Sequence, residues 1–538
     1  MRLIKAHPYH HLWDRGGFLL LPSASWPLSL KHSSSSEAWD SFIMTIASEQ
    51  PETPSETTSL LAEHNGLPVQ PKSVTRRAQQ VLFLACLIAV TVDIGNYISV
   101  APQLQIYELN ICQRLHPEVF DSSPGGVLPS LVPSACKTAD VQGELALLKG
   151  WMSTFDQLPG IILALPYGLM ADRVGRKPVL FLSLAGCVLQ EMAIRVIAWY
   201  HATIPPRAIW FTPIFQILGG GSQIATSVAF TIIADVFPVE KRSSTYFILS
   251  AAILLSEILA VPLSAWLMSS DAWIPWMLGL ACEFGSLFTI LLLPETKPEP
   301  SVNPVNDVQP ETAGHLKLSS AFTWASVVRF ARSQFAQLHE FIGEYPSALV
   351  ISLAFLFSSY GIEAVPFMLQ YVSKRFSWSL AEASLLICVK GIINCFALML
   401  VLPMATKILD RYLSPVQRDL RVAIGCACLL MAAFGFMSVA SHPAVFVVGV
   451  ALVALGGGFS AALRSVGSAL VGSSHVGLLN TTITLTQGVG LMISGPLLAG
   501  LFRAGMAWEG AWMGLPWMAG FILYAATILT TYCLRVQS

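Results

Sequence analysis

Several ionisable residues stand inside apolar stretches of this sequence, where a charge is expensive to place. The set is Asp93, Asp156, Glu191, Arg195, Glu257, Glu283, Glu363, Lys390 and Arg464. Inserting one such side chain at the centre of a bilayer costs about 3 kcal/mol, so these residues usually bind a proton, an ion or a polar ligand. We expect proton coupling, or a path for a translocated molecule, at five of them: Asp93, Glu257, Glu363, Lys390 and Arg464.

Asp93 is the first candidate for a proton- or cation-binding carboxylate, because no cationic residue stands near it in the sequence. At a rise of 1.5 Å per residue, Asp93 lies about 12 Å from the C-terminal end of its apolar stretch. Glu257, near the middle of its own stretch, ranks next. The alternative for Asp93 is a structural role held by hydrogen bonds.

Two pairs of these residues are expected to neutralise each other. Glu363 precedes Ser373, and Lys390 follows Trp378, by distances that put both about 15–18 Å below one membrane face. Equal depth on consecutive helices predicts an ion pair between Glu363 and Lys390, either static or linked to protons or substrate. Glu191 and Arg195 are four residues apart, so they can pair on one helix face in a structural role.

The composition is that of a polytopic membrane protein. Of 538 residues, 54% are hydrophobic and 12% are charged, against about 25% charged in soluble domains. A net charge of -1 excludes a nucleic-acid binder that relies on basic excess. The sequence contains no CxxC pair, P-loop or HExxH motif, so we expect no metal site, no cofactor, no ATP-driven step and no enzymatic activity.

Twelve apolar runs are long enough to cross a hydrocarbon core of about 30 Å. They are residues 79–101, 150–170, 178–199, 209–234, 244–268, 273–294, 347–372, 380–405, 422–441, 444–468, 477–501 and 511–534. The predicted domains are a disordered cytoplasmic tail (1–78), a six-helix half (79–294), a cytoplasmic middle loop (295–346) and a second six-helix half (347–535). Within the middle loop, apolar residues at helical spacing over 324–338 predict an interfacial helix.

An internal repeat indicates that the two halves are related. The run Leu218-Gly-Gly-Gly221 recurs as Leu455-Gly-Gly-Gly458, and Asp172-Arg173 recurs as Asp410-Arg411. Both matches fall at nearly the same offset along the chain. Parallel six-helix halves related by an axis along the membrane normal are typical of transporters, with the substrate path between them. We therefore predict an all-α protein of twelve transmembrane helices in two pseudo-symmetric halves.

The distribution of basic residues predicts the orientation. Thirteen Lys and Arg residues near the span ends fall on one side and seven on the other, which puts both termini in the cytoplasm. Cys112 and Cys136 then lie together in the first external loop, on the oxidising side of the membrane. The sequence is consistent with either a disulfide between these two cysteines or two free thiols.

The loop after the second span carries the most specific motif, Gly168-Leu-Met-Ala-Asp172-Arg173-Val-Gly175-Arg176-Lys177-Pro178. It resembles the G-x-x-x-D-R-x-G-R-K/R signature of the major facilitator superfamily (MFS). The resemblance implies a conformational latch formed by Gly168, Asp172, Arg173, Gly175, Arg176 and Lys177. The residues agree: the glycines permit close backbone approach, and Asp172 ends a helix whose dipole disfavours an anion, so it needs an arginine or another helix N-terminus. A plain positive-inside anchor is the alternative.

Two further stretches are similar to this family. Asp235-Val-Phe-Pro-Val-Glu240-Lys241-Arg242 looks like a second cytoplasmic latch, and Pro294-Glu295-Thr296-Lys297 resembles the end of many facilitator first halves. The sequence departs from the drug/proton antiporter pattern at span four, where Phe215 stands near the place of an arginine.

The resemblance implies a secondary active transporter that moves a small organic molecule by alternating access. Proton-coupled efflux of a drug-like compound or secondary metabolite is the expected activity, with nutrient uptake and a transport-dead receptor or scaffold as alternatives. The expected partners are the substrate, protons and the lipid bilayer. We expect a multi-pass protein of the plasma membrane rather than of the vacuolar or endosomal membrane.

Overall fold

A computed structural model describes residues 76–121, 136–237, 239–296, 340–471, 476–508 and 510–534. The described residues belong to one compact unit, Val74–Ser538. Nearly all of the predicted tail, and the predicted interfacial helix of the middle loop, lie outside the described residues.

Twelve membrane-length helices run through the described part of the chain. They are α1 (Arg76–Leu115), α2 (Ala139–Arg173), α3 (Arg176–Trp199), α4 (Pro206–Val236), α5 (Val239–Met268), α6 (Trp273–Leu292), α7 (Pro346–Phe376), α8 (Leu380–Leu409), α9 (Pro415–Ser438), α10 (Pro443–Val471), α11 (Val476–Trp508) and α12 (Trp512–Tyr532). Eleven of these helices contain a stretch that is apolar enough to cross a membrane by composition. The prediction of twelve helices in two six-helix halves is confirmed.

The helix α2 departs most from its prediction. It is 35 residues long and begins at Ala139, well before residue 150. Lys149 therefore lies inside a helix, although its place before the second apolar run had suggested a loop residue. Lys149 and Asp156 lower the hydropathy of this helix, which explains why hydropathy alone delimits it poorly.

The repeated glycine triplets interrupt both α4 and α10, with different local geometry. The first part of α4 is a 3₁₀-helix, Pro206–Leu218, and Gly220 then takes a positive φ of 80°. A Cβ on Gly219 would clash with the backbone of α3. In α10 the residues Gly456–Gly458 form a 3₁₀ turn, and a Cβ on Gly456 would lie 2.6 Å from Leu430 of α9. The triplet thus brings two helices together in each half.

The most extensive contacts between the halves are those of α2 with α11 and of α5 with α8. The closest approach is between glycines: a Cβ on Gly150 would lie 2.5 Å from the Gly495 carbonyl oxygen. We call the end of the bundle that carries Cys112 and Cys136 the disulfide end. The opposite end, which carries residues 168–178, is the motif end.

Candidate functional site

The disulfide end is held shut by a lysine beside a disulfide. Cys112 and Cys136 are joined by a disulfide in this structure, which is one of the two alternatives left open by the sequence. The next residue, Lys137, reaches the other half: its Nζ donates to Ser373 Oγ at 2.6 Å and to the Trp378 carbonyl at 2.9 Å. Lys374 returns the contact by donating to the Lys137 carbonyl. Burial lowers the pKa of Lys137, and the nearby carboxylates of Glu108 and Glu382 oppose that shift.

A buried amide contact continues this closure below the lysines. Gln370 of α7 donates to the Gln142 carbonyl at 2.7 Å and to its side-chain oxygen at 3.0 Å. Gln142 in turn donates to Glu108 of α1 at 2.6 Å. None of these contacts between the halves is predicted from the sequence; the available signal was the position of Lys137 directly after a candidate disulfide cysteine.

The predicted ion pair between Glu363 and Lys390 is wrong. Glu363 instead accepts a hydrogen bond from Ser153 of α2 at 2.6 Å. Lys390 lies 2.9 Å from Glu257 of α5. Residue count gives the height of a side chain along the membrane normal, but not the direction in which it points around the helix axis. Glu363 faces α2 and Lys390 faces α5, both in the other half.

The ion pair between Glu257 and Lys390 joins the two halves in the membrane interior. The Glu257 side chain is 3% exposed and that of Lys390 is 20% exposed. The contact has ion-pair distance, yet Oε1 of Glu257 has no hydrogen bond of good geometry with a described residue. We therefore treat the contact as electrostatic attraction. The close packing of Gly391 against Glu257 and Ile258 holds α5 and α8 together around it.

Asp93 lines a cavity of about 110 Å³ inside the first half. The walls come from apolar residues of α1 and α3 to α5, including Ala85, Leu180 and Ile253, and from Leu293 just after α6. Within the described ranges no hydrogen bond or ion pair is formed by the Asp93 carboxylate. Asp93 and Tyr97, one turn apart on α1, both lie within electrostatic range of Glu257.

Arg195 and Asp156 form two separate sets of polar contacts in the interior of the first half. Arg195 pairs with Glu191 at 2.5 Å, as the four-residue spacing predicts. It also donates to the Trp276 carbonyl at 2.9 Å and lies over the Trp276 ring. Asp156 accepts from Gln190 at 2.6 Å. All of these bonds stay within the first half, so they stabilise its internal packing.

Arg464 of α10 bonds to neutral groups. Its guanidinium donates to Gln487 at 2.7 Å and to Asn480 at 3.4 Å, both on α11. It lies 5.1 Å from the centre of the Phe355 ring.

Three family-like stretches converge at the motif end. Arg176 pairs with Asp172 at 2.5 Å and with Asp235 at 3.0 Å. Glu295 caps the start of α3, where it accepts from the backbone N–H of Arg176 at 2.8 Å and of Lys177 at 3.2 Å. The predicted need of Asp172 for an arginine partner is confirmed. In the second half Arg418 also pairs with two aspartates, Asp410 and Asp419, each at 2.7 Å, but Asp419 is its neighbour on α9.

The two glycines of the motif behave differently. Gly175 takes a φ of 132°, and a Cβ there would lie 2.5 Å from Glu295, so close approach requires glycine. Around Gly168 no atom of the described residues lies within 4 Å of an added Cβ. The close approach predicted for Gly168 is therefore absent from this conformation. The motif-end ion pairs of Asp172, Arg176 and Asp235 stay within the first half, whereas the contacts of Lys137, Gln142 and Ser153 cross to the second half.

The disulfide makes a direct prediction for thiol counting. Eight of the ten cysteines are free, so unfolded, unreduced protein should bind eight maleimide groups, and reduced protein ten. Mass spectrometry of the labelled protein measures both numbers. Cys428, an exposed free thiol, should be labelled under both conditions and serves as the internal control. Ten labels without reductant would contradict the disulfide.

Within the described ranges, no group of three or more His, Cys, Asp or Glu side chains could hold a metal ion. The residues described above can instead hold protons, form switchable ion pairs and bind a polar organic group.

Comparison with known proteins places this architecture in a family. The family model described as Major Facilitator Superfamily matches residues 130–495. The MFS efflux pump atnC of Emericella nidulans is 33% identical over 86% of this chain and 89% of its own length. The efflux pump ustT of Aspergillus flavus is 31% identical over 80% of this chain and 83% of its own length.

A solved structure shows the same fold. The crystal structure of a D-xylose–proton symporter superposes with a TM-score of 0.56 at 13% identity, over 85% of this chain and 97% of that one. With the family model, the relatives and the twelve-helix architecture in agreement, the chain belongs to the Major Facilitator Superfamily and is a multi-pass membrane transporter.

Proposed function

We propose that this chain is a proton-coupled exporter of a small organic molecule, a drug-like compound or secondary metabolite. The observation that carries the proposal is the ion pair between Glu257 and Lys390, which joins the two halves within electrostatic range of the Asp93 carboxylate. The relatives named as efflux pumps support export as the direction.

The charge on Asp93 would control the ion pair between the halves. Asp93 and Glu257 are like charges within electrostatic range, and Lys390 pairs with Glu257. Protonation of Asp93 removes the repulsion, so that Glu257 holds Lys390 and α5 stays packed on α8. Loss of the proton restores the repulsion and weakens the pair. Proton binding thereby shifts the balance between two arrangements of the halves, as alternating access requires.

We place the motif end in the cytoplasm and the disulfide end outside. The excess of Lys and Arg at the motif end supports this orientation, as does the disulfide, which persists in oxidising compartments. Both termini are then cytoplasmic. The contacts of Lys137, Gln142 and Ser153 then close the protein to the outside. The cavity beside Asp93 lies toward the cytoplasm. The plasma membrane is the proposed location.

Proton-driven flux in proteoliposomes tests this function. A panel of small metabolites and drugs should show export driven by an imposed pH gradient. Asp93→Asn should lower gradient-driven flux about tenfold or more while leaving substrate exchange intact, because the halves still move but the proton site is gone. Asp271→Asn, at a cap between α5 and α6, is the matched control and should transport normally. Gradient-driven flux at the wild-type rate in Asp93→Asn would exclude Asp93 as the coupling site.

A further inference from the structure

The guanidinium of Arg464 is a half-buried cation whose described bonds are all to neutral oxygens. The other interior cations sit beside carboxylates: Arg195 pairs with Glu191, and Lys390 pairs with Glu257. Lys149 bonds to an amide, yet it lies within electrostatic range of Asp156, Glu191 and Glu363. Among the described residues no carboxylate lies within ion-pair distance of Arg464.

An arginine in this position is incompletely neutralised. Desolvation of a charged side chain is offset only by an opposite charge or by strong hydrogen bonds. The bonds to Gln487 and Asn480, at 2.7 and 3.4 Å, occupy part of the five-donor guanidinium. The donors that remain can bind an anion from outside the protein.

The surroundings of Arg464 are suited to an organic anion. Phe355 is fully buried, and its ring lies against the guanidinium with 5.1 Å between the ring centre and the guanidinium carbon, so it supports Arg464 from one side. The amide N–H groups of Asn480 and Gln487 are additional donors on the same side. A planar guanidinium matches the two oxygens of a carboxylate in a bidentate geometry.

The position of Arg464 lies next to the junction between the halves. Arg464 is seven residues before the end of α10 at Val471, about 10 Å from the motif end. Asn480 is exposed. Gln487 adjoins Gly488, where an added Cβ would lie 3.0 Å from Ile161 of α2 in the other half. A ligand at Arg464 would therefore lie where the two halves separate.

We propose that Arg464, with Asn480 and Gln487, binds the carboxylate of an organic acid, so that the exported substrate is an organic monoanion. The proposal rests on the proposed transport function and names its substrate class. One arginine neutralises one negative charge, which favours a carboxylate over a phosphate dianion.

Thermal stabilisation of the purified full-length protein in detergent tests the site even while the natural substrate is unidentified. The probes are a panel of aromatic and aliphatic monocarboxylates, each paired with its own primary amide. Members of the acid series should raise the melting temperature, and their amides should not. In Arg464→Gln the apparent affinity for those acids should fall by about ten- to a hundredfold, since bonds to charged groups contribute roughly 1.5–3 kcal/mol.

Matched variants separate binding from folding. Arg464→Lys keeps the positive charge but loses the planar guanidinium, which can donate two parallel hydrogen bonds to a carboxylate. This variant should therefore bind the acids with intermediate affinity. Gln487→Leu keeps Arg464 and provides a second test if Arg464→Gln does not fold. Arg207→Gln removes another arginine that lies over an aromatic ring, Trp210, but pairs with Glu144 at the protein surface. This control should bind the acids like the wild type.

The proposal would be wrong if no acid raised the melting temperature, or if acids and their amides raised it equally. It would also be wrong if inorganic sulfate or phosphate stabilised the protein as strongly as the acids, or if Arg464→Gln bound the acids with unchanged affinity. Gradient-driven export of neutral compounds by both the wild type and Arg464→Gln would refute the substrate class and leave the transport function standing. Absence of any gradient-driven flux would refute the function itself.

Discussion

Glu257→Gln and Lys390→Met are each expected to reduce the amount of folded protein sharply, whereas the double variant should recover it. Glu257 is almost fully buried and Lys390 lies against it at 2.9 Å. Removing one partner leaves the other charge uncompensated, at a cost of about 3–5 kcal/mol. Removing both charges eliminates both desolvation penalties. Detergent-solubilised yield and melting temperature of the four proteins measure this cycle.

Transport by the double variant tests the functional role of the pair. We expect it to fold and to lack gradient-driven flux, because Asp93 then has no ion pair between the halves to act on. The coupling energy between the two sites should be about 0.5–3 kcal/mol, as for residues in contact. The exposed pair Glu144 and Arg207 is the control, and its double cycle should show almost no coupling. If the stability losses of Glu257→Gln and Lys390→Met simply added up in the double variant, the two residues would not form a pair.

The sequence predicts the fold well because its signals are local. The apolar runs mark the helices, the repeat of the Gly219–Gly221 triplet at Gly456–Gly458 identifies two related halves, and the loop motif identifies the family. The start of α2 was missed because Lys149 resembles a loop residue until its buried surroundings are known. Depth along a helix follows from residue count, but the direction of a side chain around the helix axis depends on tertiary packing.

That distinction explains the outcome for the candidate site. Glu257 and Lys390 are both recognisable in the sequence as charges inside apolar runs, but equal depth on consecutive helices favours Glu363 as the partner of Lys390. The partner of Lys390 lies far away along the chain, across the interface between the halves. For the same reason, Asp172, Asp235 and Glu295 were noted as three separate stretches, although all three meet around Arg176 and the start of α3.

Asp172→Asn is expected to lower transport about fivefold or more with little loss of folded protein. The Asp172 side chain is 63% exposed and pairs with Arg176, and such exposed ion pairs contribute about 0–1 kcal/mol to stability. We propose that Asp172 contributes mainly by stabilising the other conformation, closed at the motif end. A contact specific to one state shifts a conformational equilibrium by about 1–3 kcal/mol, enough for a change of this size. Export rate and membrane abundance, measured on the same vesicles, provide the comparison.

The neighbouring aspartate distinguishes a latch from a simple structural pair. Asp235 is largely buried and holds the same arginine from α4, so Asp235→Asn should reduce abundance and melting temperature as well as flux. Asp410→Asn removes the equivalent partner of Arg418 in the second half and tests whether the repeat carries the same role. If Asp172→Asn transported normally at normal abundance, its pair with Arg176 would be a passive anchor. The change between conformations would then depend on the Glu257–Lys390 pair and the closure around Lys137, since those contacts join the halves in this structure.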